Sequence, residues 1–226
     1  MKIIKTTVGL ILAASFIFAT GCSQKNNSSN GKDNANAKTI TMGNQEGNKY
    51  TNDYFGLELD VPEGWTIASD EEKKALMQAG QDAIAESNED LAEQLDLAKE
   101  KTLNLMFAFK YPFTHQGVNP NVLCMAENLG LLGSVAVKSG KDYLAMTKTG
   151  MEQTGMPYTF GEVTTEKLGG KDFDTMEATM DAGEIKITQK YYAAIFDGYA
   201  LIFINTFFND EEAAEINAFM DTIKFK

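Results

Sequence analysis

Few residues of this 226-residue chain could do chemistry. It holds one histidine, His115, and two cysteines, Cys22 and Cys124. A Ser-His-Asp hydrolase would have to use His115, and no G-x-S-x-G elbow supplies its nucleophile. Cys124 follows Leu123 in an apolar run. A nucleophilic thiolate needs exposure and a lowered pKa, so Cys124 is expected to be a small buried hydrophobe. Two cysteines are too few for a Cys/His metal site. Carboxylates crowd the stretch from Asp70 to Glu100, but without the D-x-D-x-D-G spacing of a calcium loop. They read as a solvated helix face. No catalytic residue, metal ligand or cofactor is therefore expected, and the chain reads as non-enzymatic. What remains is a recognition loop. His115 lies between Pro112 and Pro120, with Phe113 and Asn119 beside it. Phe113, His115 and Asn119 form a weak candidate patch for binding a partner. In the period-two run Phe107, Phe109, Tyr111, Phe113, the first three are expected to pack on a sheet and Phe113 to stand out as an anchor.

Cys22 has a different role. Lys2 and Lys5 precede an apolar run of 12 residues, Val8–Ala19. That suits the core of a signal peptide and falls short of the roughly 20 residues a spanning helix needs. Ala19-Thr20-Gly21-Cys22 resembles the lipobox of bacterial lipoproteins, although Ala19 stands where a Leu-like residue is usual. The resemblance implies cleavage between Gly21 and Cys22, with a diacylglyceryl thioether on Cys22. The first partner is then the membrane, held through that lipid, and the address is its extracytoplasmic face. Two acyl chains anchor stably where one is marginal. Residues 22–48, rich in Asn, Ser, Gly and Lys, are expected to be a lipidated flexible tether spanning roughly 25–30 Å. The organisation is thus 1–21 signal peptide, 22–48 tether and 49–226 a single folded domain, long enough for a substantial core.

Charge narrows the partners further. All 20 basic residues are Lys, against 32 Asp and Glu. Without the two lysines of the leader, 18 lysines face 32 acids, a net charge of −14. Nucleic acid needs a basic footprint, so it is excluded as a partner. The missing Arg removes bidentate forks for phosphate or carboxylate. Arg-free, Lys- and Asn-rich usage fits an AT-rich Gram-positive genome. With Cys22 committed to lipid, Cys124 has no disulfide partner.

The elements follow from periodicity and punctuation. Tyr50–Val61 alternates at Phe55, Leu57, Leu59 and Val61 and reads as one strand, ended by Pro62-Glu63-Gly64 before Trp65. A lone Trp there closes a core more often than it lines a ligand groove. Ser69-x-x-Glu72 opens a helix with Leu76, Ala79, Ala83 and Ile84 inward, recapped at Ser87-x-x-Asp90 and running to about residue 100. Leu103–Tyr111 and Asn121–Asn128 are strands. Ser139-x-x-Asp142 caps a helix with Leu144, Thr147 and Met151 inward, stopped at Gly155 and Pro157. Gly169-Gly170, Asp181-Ala182-Gly183 and Asp197-Gly198 then separate four strands. Ala200–Phe208 is apolar on both faces and should be central. Asn209 caps a last helix over Asp210–Ile223, with Ala213, Ile216, Phe219 and Ile223 inward. The fold class is α+β, an antiparallel sheet sandwiched between helices.

Three stretches resemble the PsbP-like (PsbP/Mog) family. They are Tyr54-Phe55-Gly56-Leu57 running to Val61-Pro62-Glu63-Gly64-Trp65, then Leu168-Gly169-Gly170-Lys171, and Asp197-Gly198-Tyr199. The resemblance spans roughly residues 50–226. It implies an α/β/α sandwich and non-catalytic binding to a larger assembly, with no functional residue carried over.

Together these features point to a membrane-anchored, non-enzymatic module binding an unknown envelope protein. A small-ligand-binding, transport-associated lipoprotein is the alternative, and an envelope hydrolase a third. Blocking lipoprotein signal peptidase is expected to accumulate the uncleaved precursor, as is Cys22→Ser. Normal release of the mature chain into the medium would overturn the anchor.

Overall fold

The computed structural model describes residues 40–85 and 101–226. They form a mixed α+β fold built on antiparallel pairing. The strands are β1 (Asn44–Glu46), β2 (Lys49–Asn52), β3 (Leu57–Asp60), β4 (Thr66–Ile67), β5 (Thr102–Phe109) and β6 (Asn121–Asn128). Then come β7 (Thr159–Phe160), β8 (Thr164–Leu168), β9 (Lys171–Ala182), β10 (Ile185–Phe196), β11 (Tyr199–Phe207) and β12 (Lys224–Phe225). The helices are α1 (Asp70–Ala85), α2 (Gly130–Ala136), α3 (Gly140–Gln153) and α4 (Asp210–Met220). The large sheet runs β4-β5-β6-β11-β10-β9-β7, with β8 also on β9, and the small one β1-β2-β3-β12.

Strand β11 sits mid-sheet between β6 and β10. Its alternate residues feed two cores. Leu201 and Phe203 belong to one, with Leu57, Leu59, Cys124, Ile216 and Phe219 from β3, β6 and α4. Ala200, Ile202 and Ile204 belong to the other, with Tyr143, Leu144 and Met151 of α3. One face is thus covered by α4 together with the small sheet, the other by α3 and part of α1.

The punctuation acts as the sequence predicts. Asp197-Gly198 joins β10 to β11 with both residues at positive φ, 45° and 85°. This is the backbone of a two-residue hairpin turn, whose twist matches the strands. Ser139 and Asp142 form a capping box on α3, and Leu144, Thr147 and Met151 are buried beneath it. Asn209 accepts from the Glu212 backbone N–H to open α4.

Four expectations need correction. Tyr50–Val61 is a hairpin rather than one strand, because the Asn52 side chain accepts from the Tyr54 N–H and Gly56 takes φ 64°, folding β2 back on β3. Residues 40–48 of the expected tether belong to the fold: Ile40 packs on the core and β1 pairs with β2. On α1, Ala79 is exposed, while Lys73, Gly80 and Gln81 are buried. Lys73 reaches in because its ammonium pairs with Asp70 at 2.7 Å and donates to the Leu105 carbonyl, leaving its apolar stem inside. Finally, α4 stops at Met220, with Ile223 buried in the turn that follows. The second half of the first helical region, from Ser87, lies outside the described residues, as do Gly21 and Cys22.

Helix α3 is docked end-on at Gly140. A Cβ there would lie 2.0 Å from the Ala193 carbonyl oxygen, while the Lys141 N–H donates to Asp174 at 2.7 Å. Gly140→Ala is expected to lower stability by about 2–3 kcal/mol through overpacking against backbone. Ser139→Ala should cost about 1 kcal/mol through loss of the cap. Urea denaturation measures both, and equal effects of the two would refute the close approach.

Candidate functional site

Loop 112–120 joins β5 to β6 and is tied down by one side chain. The Asn119 carbonyl oxygen accepts from the Tyr111 N–H and its amide donates to the Tyr111 carbonyl, each at 2.9 Å. The amide thereby closes the loop as a strand neighbour would. Lys110 N–H donates to the Pro120 carbonyl at 2.9 Å, and His115 N–H to the Pro112 carbonyl at 2.8 Å.

The candidate residues divide inside this frame. His115 is exposed and stacks on Tyr111, ring centroids 4.4 Å apart at 27°. Phe113 does not stand out as the expected anchor. It is half-buried, 4.7 Å from the Phe109 ring, and packs on the α3-side core. Asn119 is half-buried and spent on the backbone. Of the three candidates only His115 is exposed, its ring lying on half-buried Tyr111, with Phe113 and Asn119 packed beneath the loop.

An ion pair fixes the base of the loop to α4. The Lys110 ammonium pairs with Glu215, which holds its pKa above the ordinary lysine value and the Glu215 carboxyl below its own. The other Glu215 oxygen accepts from the Trp65 indole N–H at 3.1 Å. Trp65 packs edge-on against Phe219 at 5.6 Å, closing the core as its position suggested. Cys124 is fully buried, and burial pushes its thiol well above the ordinary range.

Sequence reasoning passed over Glu127. It is completely buried in β6. Tyr143 of α3 donates to its Oε2 at 2.7 Å, and Oε1 accepts from no described residue. Burial raises the carboxyl to about 7, against the opposing pull of the Tyr143 hydrogen bond and Lys101. Alternation offered a signal: Leu123, Met125 and Glu127 share one face of an apolar strand. Among the described residues, no group of three His, Cys, Asp or Glu side chains could hold a metal ion. Among the same residues no helix is long and apolar enough to cross a membrane.

No family model and no curated protein matches the chain. The solved structures to which it is similar include the following. One is the cyanobacterial PsbP (CyanoP) of Synechocystis sp. PCC 6803, 9% identical with a TM-score of 0.46, over 87% of this chain and 98% of that one. Another is LpqN of Mycobacterium tuberculosis, described as involved in cell envelope biogenesis, 11% identical with a TM-score of 0.41, over 75% and 83%. A third is a protein of Bacteroides thetaiotaomicron VPI-5482, 11% identical with a TM-score of 0.42, over 76% of this chain. The match spans 45% of that protein's length.

The raised carboxyl of Glu127 has a signed consequence. A native pKa above the unfolded value means the native state binds more protons between about pH 4.3 and 7, so stability falls as pH rises through that window. The cost of the buried charge is then complete above about pH 7. Glu127→Gln is expected to stabilise the protein at pH 8, on the order of 2 kcal/mol, and to change little at pH 4.5. Denaturation at both pH values, compared with the unmodified chain, measures this. An equal effect at the two would refute the buried charge.

Proposed function

We propose that the protein is a lipid-anchored, extracytoplasmic, non-enzymatic module of the cell envelope that binds another envelope protein through loop 112–120. The finer architecture that goes with this reading is a PsbP-like α/β/α sandwich, with α1 and α3 as one layer and α4 as the other. The reading is supported above all by the opposite placement of the chain's entry and the loop. The entry segment is fixed by the Asn52 amide, which donates to the Thr41 carbonyl at 2.9 Å. Tyr54, two residues on, donates to the Asp197 carbonyl and sits 5.4 Å from Tyr199. That is the β10–β11 turn. Loop 112–120 leads into Asn121, which pairs with Thr206 at the other end of β11. Nine residues of β11 separate the two by roughly 25–30 Å. A domain held by its entry end thus turns the Tyr111–His115 stack away from the anchor.

A photo-crosslinking residue at exposed Gln116, in the anchored protein on intact cells, is expected to give one adduct of defined mass. Tyr111→Ala with His115→Ala should abolish it and leave expression unchanged. Absence of an adduct, or an adduct indifferent to both changes, would overturn the loop as the binding surface.

A further inference from the structure

The two exposed large hydrophobic side chains recorded among the described residues are Met42, at 41%, and Val135, at 69%. Met42 lies in the entry segment. Val135 lies on α2, whose sequence Gly-Leu-Leu-Gly-Ser-Val-Ala contains no charge. Helix α2 also belongs to the entry end. The Leu129 N–H, at its start, donates to the Gly198 carbonyl of the turn beside Tyr54. The Asn128 side chain accepts from the Gly130 N–H. Gly133 is half-buried, and Ser134, Val135 and Ala136 are exposed. Exposed lysines flank the helix. Lys138 follows it, Lys141 opens α3, and the Lys101 carbonyl accepts from the Asn128 N–H.

We infer that α2 is a membrane-seating helix: it lies in the interface of the leaflet that holds the lipid anchor and fixes the domain's orientation there. The inference rests on the anchor reading. The occupant follows from where the chain enters. Seventeen residues, 23–39, separate Cys22 from Ile40, the first described residue. Even at full extension seventeen residues reach no further than about 60 Å, so the anchor holds the bilayer near the entry end. Helix α2 is only about 10 Å long, which suits shallow insertion of an apolar surface beside the headgroups. Lysines at its flank can keep their ammonium groups in that polar layer while their stems follow the apolar surface. The acidic domain gains nothing from electrostatic attraction to anionic lipid. The seat therefore depends on the anchor confining α2 to the surface at high effective concentration.

The test uses the full lipidated chain, purified from membranes and reconstituted in phosphatidylcholine vesicles with and without phosphatidylglycerol. Val135→Cys and Gln116→Cys are each labelled with a polarity-sensitive fluorophore, since Cys22 is then a thioether and Cys124 is buried. The label at 135 is expected to shift to the blue and to be quenched by brominated acyl chains several-fold more than the label at 116. Val135→Asp, read through a label at Ala136, should lose the shift while the chain still floats with the vesicles. Equal water exposure at 135 and 116 on floating vesicles overturns the inference and leaves the anchor standing. Shielding of position 135 without vesicles, in a chain that begins at Ser23 and so lacks leader and lipid, also overturns it, because residues 86–100, a second copy or another protein would then cover α2. Failure of the full chain to float, with Cys22 unmodified, overturns both.

Discussion

Burial of β11 on both faces is the constraint from which the other elements take their places. A strand with two apolar faces must be paired along both edges and covered on both sides, or its backbone and side chains lose more than they gain. β6 and β10 supply the edges. Helix α4 and the small sheet cover Leu201 and Phe203, while α3 covers Ala200, Ile202 and Ile204. The loop and the chain entry inherit their separation from this strand, since each is fixed to one of its ends.

Both cores admit polar groups, and the two faces treat them differently. On the α3 side Glu127 meets Tyr143, and Gln189 donates to Thr206 while accepting from Tyr191. The Tyr143–Glu127 bond registers α3 on the sheet, while the Gln189–Thr206 bond ties β10 to β11. On the α4 side Asn205 is 1% exposed, and neither amide atom meets a described partner. Surface ion pairs such as Lys167–Asp172, both side chains well exposed, add little beside these.

Much of this was legible in the sequence where local chemistry decides. Ser139-x-x-Asp142, Asn209 and Asp197-Gly198 each need only their own neighbours to act, and each acts as read. The span of β6, Asn121–Asn128, matches the apolar run. Misreadings arose where one pattern concealed another. The alternation of Tyr50–Val61 is genuine on both arms of the β2–β3 hairpin, so the turn between them left no break in it. On α1 a buried lysine broke the assumption that the inward face is apolar. Helix α2 is too short, with two glycines, to show a period. Phe113 looked like an exposed end to an aromatic run, but the chain turns after Tyr111 and brings it back onto Phe109. His115 and Asn119 lie in the loop, as their place between Pro112 and Pro120 predicts. Their division into a stacked ring and a backbone tie depended on geometry that spacing does not encode.

The Asn119 tie closes the loop without drawing on any charge. Both of its bonds join neutral amides, with no group that titrates or attracts counterions. Acid, alkali or brine that strips away the exposed ion pairs leaves this clasp intact. The closure of the loop and its attachment to α4 thus answer to different conditions, the first to neither pH nor salt and the second to both.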